Sequence, residues 1–151
     1  MPNIVVRIPA GVLDQKARAA LVAAVNEGAA ECERIPPDPA RRALCWVMIE
    51  EITPGDLTCG GRDPLQAMLP VMITVNVPAG VLDDASRARY AMLMHGAVAA
   101  ALPDETRRVA TSCIINDVPD GTWGANGSIW RLPQMAAVSG YEHLQHLAKA
   151  I

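Results

Sequence analysis

The chain has 151 residues, 51% of them hydrophobic and 19% charged, with a formal net charge of −3 and a pI near 5.5. That length supports one domain, or two half-domains around a shared core, and the acidic balance excludes the basic face by which proteins hold nucleic acid. No apolar run approaches the roughly 18 residues that suggest a membrane span, and "MPNIVVRIP" lacks the basic start and continuous apolar stretch of a signal peptide, so a cytoplasmic protein that meets no membrane is expected.

Phe is absent, and Ala, Val, Ile and Met dominate the apolar set. Small side chains of this kind suit close packing of helices on a sheet. Cys32, Cys45, Cys59 and Cys113 are far apart in sequence and form no CxxC pair; they read as buried apolar residues in a reducing compartment.

The first element is "NIVVRIP", a β-branched run that Pro9 ends by withdrawing a ladder donor. Asp14 is placed to cap an Ala-rich helix from about 14 to 33, in which Leu21, Val25 and Ala29 fall on one stripe. A second strand, "ALCWVMIEEI", follows Pro36 and closes on a Gly-rich turn. The same order then returns: strand "VMITVNVP", N-cap Asp83, a helix from about 83 to 102 with Tyr90, Met94 and Val98 on one stripe, and strand "VATSCIINDV".

This is an internal repeat. Pro9 falls on Pro78 at an offset of 78 − 9 = 69, and Arg41 falls on Arg107 at 107 − 41 = 66, with Arg42/Arg108, Gly55/Gly121 and Gly61/Gly127 in step. Two copies are too few for a solenoid. Each copy reads as β-α-β, whose crossover helix makes its two strands parallel. The expected fold is therefore α/β, a four-stranded sheet with two helices on one face. It forms a single domain over residues 1–151, made of repeats at about 2–62 and 70–132 and a helical tail at 135–151.

Strand alternation puts Ile4, Val6, Ile8, Ile73, Val75 and Val77 under the helices. It leaves Val5 and Met72, beside Arg7, Thr74 and Asn76, on a second face with no helix to cover it. An oligomer is the simplest cover. In the tail, Ser139 and Glu142 have the spacing of a capping box, which predicts a helix over "YEHLQHLAKAI" packed on a neighbour or along the sheet edge.

A chain that opens "MP" directly into a strand and repeats β-α-β, with "IEEITPGDLTCGG" and "INDVPDGTWGANG" closing the copies, resembles the tautomerase superfamily. It is most similar to a fused pair of 4-oxalocrotonate tautomerase units, over about residues 2 to 132. Its length and layout also resemble malonate semialdehyde decarboxylase, cis-3-chloroacrylic acid dehalogenase and macrophage migration inhibitory factor. The resemblance implies a homotrimer, a small-molecule substrate, no cofactor, and Pro2 as the catalytic base. Once Met1 is removed, Pro2 carries a free secondary amine, and α-amino groups titrate near 7.7–8.0, a useful range for a base at neutral pH. With Met1 in place the Pro2 nitrogen is an amide with no basic electron pair.

Where the resemblance would place substrate-gripping arginines, this chain has Val12, Val81, Trp46 and Ser112. The acidic residue with which the dehalogenases activate water is also missing. The remaining candidates for the substrate are Arg42 and Arg108, ahead of the second strands, Trp123, where the family has an aromatic near the proline, and Trp46 and Ser112 in place of the arginines. Arg7 is assigned to an ion pair at a subunit contact. His95, His143 and His146 offer no metal-ligand set. Two readings follow: a tautomerase moving a proton between enol and keto forms of a small 2-oxo acid, or a non-catalytic, ligand-binding or decarboxylase-like member of the same trimeric fold.

Overall fold

A computed structural model describes residues 1–149. The order of elements is β1 (Asn3–Pro9), α1 (Gln15–Glu33), α2 (Pro39–Arg42), β2 (Trp46–Ile52), β3 (Met68–Pro78), α3 (Asp84–Ala101) and β4 (Arg108–Val118). After these come β5 (Trp123–Ala125), β6 (Ser128–Trp130), α4 (Leu132–Ser139) and, beyond a 3-10 turn at Glu142–Leu144, α5 (Gln145–Ala148).

Both long helices begin where the aspartates predict. Asp14 accepts a hydrogen bond from the Ala17 amide at 2.7 Å and Asp83 one from the Ser86 amide at 2.7 Å, each satisfying an amide that the first turn leaves without a partner. Pro78 ends β3, as Pro9 ends β1.

The sheet runs β2-β1-β3-β4. Strands are parallel within each copy, and β1 lies antiparallel to β3 where the copies meet. The register keeps the sequence offsets: Asn3 faces Trp46, and Met72 faces Ser112, with 72 − 3 = 69 and 112 − 46 = 66. The equivalence reaches past the sheet. Ala125 and Ser128 pair in the β5-β6 ribbon, and the isolated bridge Cys59–Arg62 lies 66 residues before each of them. Gly55 and Gly121 hold φ of +94° and +81°, a left-handed turn that a side chain would strain.

Ile4, Val6, Ile8, Ile73, Val75 and Val77 are buried beneath α1 and α3, as alternation requires. The other face is open. Its middle row crosses all four strands as Met48, Val5, Thr74 and Ile114, with Met48 58% and Ile114 57% exposed. Arg7 pairs on this face with Glu50 of the neighbouring strand at 2.6 Å, an ion pair made within the chain.

Three expectations are corrected. Arg42 and Arg108 match in sequence but not in conformation, because Arg42 ends α2 whereas Arg108 opens β4. Cys59 and Cys113 are only partly buried, unlike Cys32 and Cys45. Ser139 does not cap a helix but ends one: α4 starts at Leu132, with Pro133 in its first turn, and stops at Gly140 with φ +70°. That break turns the tail back over the start of the chain.

Candidate functional site at the chain start

The chain start enters the core. Met1 is 8% exposed and Pro2 is buried. The Met1 ammonium donates to Glu33 Oε2 at 2.9 Å and to the Tyr141 hydroxyl. Tyr90 donates its hydroxyl proton to Glu33 Oε1 at 3.2 Å. Glu33, Tyr90 and Tyr141 are all 0% exposed. The cluster therefore joins the chain start, the last turn of α1, the second turn of α3 and the tail.

Each member has a local reason to be there. Leu21, Val25 and Ala29 step by four along the buried stripe of α1, and the next step is Glu33. Tyr90 occupies the corresponding stripe of α3 with Met94 and Val98. Gly140 lets the chain turn after α4, and the Glu142 amide bonds to the Arg34 carbonyl at 3.0 Å, which seats Tyr141 between them.

A charged carboxylate in such a place needs a partner, and its charge is felt nearby. Burial, then the Glu33 charge, pushes the Tyr90 and Tyr141 phenols well above their ordinary range. Burial and then Glu33 push the Cys45 thiol up to about 12, against the opposing Met1 ammonium. Burial, then Glu31 and Glu33, takes Cys32 to about 12. The cluster is a buried acidic site in which the Glu33 carboxylate takes one donor from Tyr90 and one from the terminal ammonium.

The Pro2 carbonyl accepts from the Trp46 amide at 3.0 Å, so these two expected site residues are neighbours at the head of β1 and β2. The Trp46 side chain, 69% exposed, lies on the open sheet face. Arg42 bonds to Glu27 at 3.0 Å and to the Pro36 carbonyl at 3.1 Å. Trp123 is partly buried against the core, opposite Trp130 in the ribbon that follows β4.

Arg108 and Ser112 are remote from Pro2 within one chain. β1 begins beside Asn76, whereas Arg108 sits beside Met68 and Ser112 beside Met72. Eight residues of strand, from Asn76 back to Met68, span about 26 Å. A groove of about 740 Å³ also runs between α1 and α3 on the outside of the helical layer, past Gly28, Met92, Gly96 and Arg34, but neither Met1 nor Glu33 lines it.

No protein-family model and no curated protein matches the sequence. Solved structures do match it. A fused 4-OT, a wild-type symmetric trimer, is 20% identical with a TM-score of 0.67, over 89% of this chain and 97% of that one. N1, a member of the cis-3-chloroacrylic acid dehalogenase family, is 17% identical with a TM-score of 0.68, over 99% of each chain. Macrophage migration inhibitory factor of Toxoplasma gondii is 12% identical with a TM-score of 0.63, over 85% and 99%. The chain has the tautomerase fold, in its two-copy form.

Proposed function

We propose that this protein is a member of the tautomerase superfamily that acts as a cofactor-free isomerase. It moves a proton between the enol and keto forms of a small 2-oxo acid, with the Pro2 amine as general base and acid. The observation that carries this reading is the buried chain start: removal of Met1 turns Pro2 into a secondary amine and vacates the space beside Glu33 and Tyr141. With Met1 retained the site is blocked twice, because Pro2 is an amide and the Met1 ammonium fills the acidic pocket.

The working unit is a homotrimer, which covers the open face with its row of Met48, Val5, Thr74 and Ile114. Trp46 and Trp123 shape the pocket. Arg42 is the carboxylate partner within the chain, and a neighbouring copy supplies Arg108 and Ser112. A second reading, a trimeric binding protein without catalysis, draws on the ion pair that satisfies Met1 in the unprocessed chain.

The rate of ketonisation of an aryl enolpyruvate separates the two, measured on protein whose intact mass shows Met1 absent. Pro2→Ala should lower the rate at least about 100-fold, as loss of a general acid-base group does. Equal rates in parent and variant would refute the proline mechanism.

A further inference from the structure

The site holds a feature that a lone proline base does not require. Glu33 is a fully buried carboxylate with one oxygen on Tyr90 and the other on the Met1 ammonium. When Met1 leaves, the partner at 2.9 Å leaves with it, and a buried carboxylate short of a donor is costly. A ligand that presents a hydrogen-bond donor at that spot restores the contact.

The spacing suits an enol. Consecutive backbone nitrogens lie at most about 3.7 Å apart by bond geometry. The Pro2 nitrogen is therefore no more than about 6.6 Å from Glu33 Oε2, taking the 2.9 Å contact into account. Contacts of about 3 Å to each group, one through carbon and one through oxygen, let a single small enol bridge them.

We propose that Glu33 is the second catalytic residue of the mature site, accepting the hydroxyl proton of an enol substrate while Pro2 protonates its carbon. The inference rests on the Pro2 reading above. The protonated Pro2 amine gives a proton to the terminal enol carbon, the C=C electron pair forms that C–H bond, and the O–H electron pair becomes the carbonyl π bond as its proton passes to the Glu33 carboxylate. One proton then returns from Glu33 to Pro2, and none is consumed. The other groups facing Glu33 are Tyr90 from α3, Tyr141 from the tail, Cys45 ahead of β2 and Cys32 on α1. Burial and the Glu33 charge hold all four neutral at working pH, so Glu33 and Pro2 are the pair left to exchange a proton. The substrates selected are enols with a free hydroxyl; an O-methyl enol ether offers nothing for the carboxylate to take.

The test uses Met1-free protein and compares the parent, Glu33→Gln and Glu33→Asp in ketonisation across pH. An acetylenic 2-oxo acid serves as a mass label for Pro2, since a free secondary amine adds to it and an amide does not. Glu33→Gln should lower kcat at least about 100-fold, while Pro2 is still labelled. Glu33→Asp should recover part of the rate. Parent-like kcat in Glu33→Gln, with Pro2→Ala inactive, overturns the role of Glu33 and leaves the proline mechanism standing. If Glu33→Gln fails to fold, Glu33→Asp decides: lowered kcat with a labelled Pro2 supports the role, and unchanged kcat overturns it. A parent without turnover removes both readings.

Discussion

Because β1 and β3 pair antiparallel, the two copies start their first strands at opposite ends of one sheet, and the two ends have different chemistry. At the first, β1 starts at the chain terminus and meets Glu33, Tyr90, Tyr141 and Cys45. At the second, the strand runs straight through: β3 begins at Met68, and Pro70 and Val71, the counterparts of Met1 and Pro2, are buried mid-chain. The offset of 69 puts Leu102 where the first copy has Glu33, and Ala101 where it has Cys32; the offset of 66 puts Thr111 where it has Cys45. Leu21, buried in α1, is the counterpart of Tyr90. The frame is shared by both copies, and the buried polar cluster is found where their equivalence breaks, because such a cluster has to be completed as a unit.

Exchanging residues between the ends tests that contrast. The largest effect on stability should come from Glu33→Leu in protein prepared with Met1 in place. It strands a buried ammonium, at a cost of about 3–5 kcal/mol, read as a lowered urea midpoint. The reciprocal Leu102→Glu, at a half-buried position, should cost less. Equal losses at the two ends would mean that the Met1–Glu33 pair is not what distinguishes them.

A smaller, pH-dependent effect should be greatest at the first end, although burial also raises the Cys113 thiol in β4. Cys32, Cys45, Tyr90 and Tyr141 all have pKa values raised in the fold, so the native state holds protons that the unfolded chain releases. Their contribution is complete below the unfolded values and is lost as pH rises from about 9 toward 12. Hydrogen exchange at pH 10 should therefore quicken first around Glu33 and the tail, with the second end lagging. Uniform quickening would break the contrast.

The smallest effect should be the same in both copies. Asp14→Ala and Asp83→Ala remove equivalent caps with the same 2.7 Å bond, and each should lower the melting temperature slightly and by similar amounts. A clear inequality would show that the copies also differ in how their helices are held.

Most of the frame was legible before the structure. Two offsets, two N-cap aspartates and a period of two in "NIVVRIP" and "VMITVNVP" are local or repeated signals, and strand pairing obeyed them residue by residue. The tail was misread because Ser139 and Glu142 have the spacing of a cap, while Gly140 between them ends one helix and prevents them from starting another. Part of the site also had a signal. The α1 stripe of Leu21, Val25 and Ala29 leads by the same step of four to Glu33, a carboxylate aimed at the core. Tyr141 had none, since nothing local says that a residue in the tail will return to the chain start.

The sequence by itself determined the duplicated β-α-β frame, the buried face of each strand and the presence of a proline at the head of β1, because each depends on periodicity or on neighbours a few residues apart. Only the tertiary structure decided that Glu33, Tyr90 and Tyr141 meet around the terminal nitrogen, and that Arg108 and Ser112 stand far from it within one chain. Those facts depend on the antiparallel join between the copies and on the return of the tail, which bring together or separate residues whose distance along the chain carries no such information.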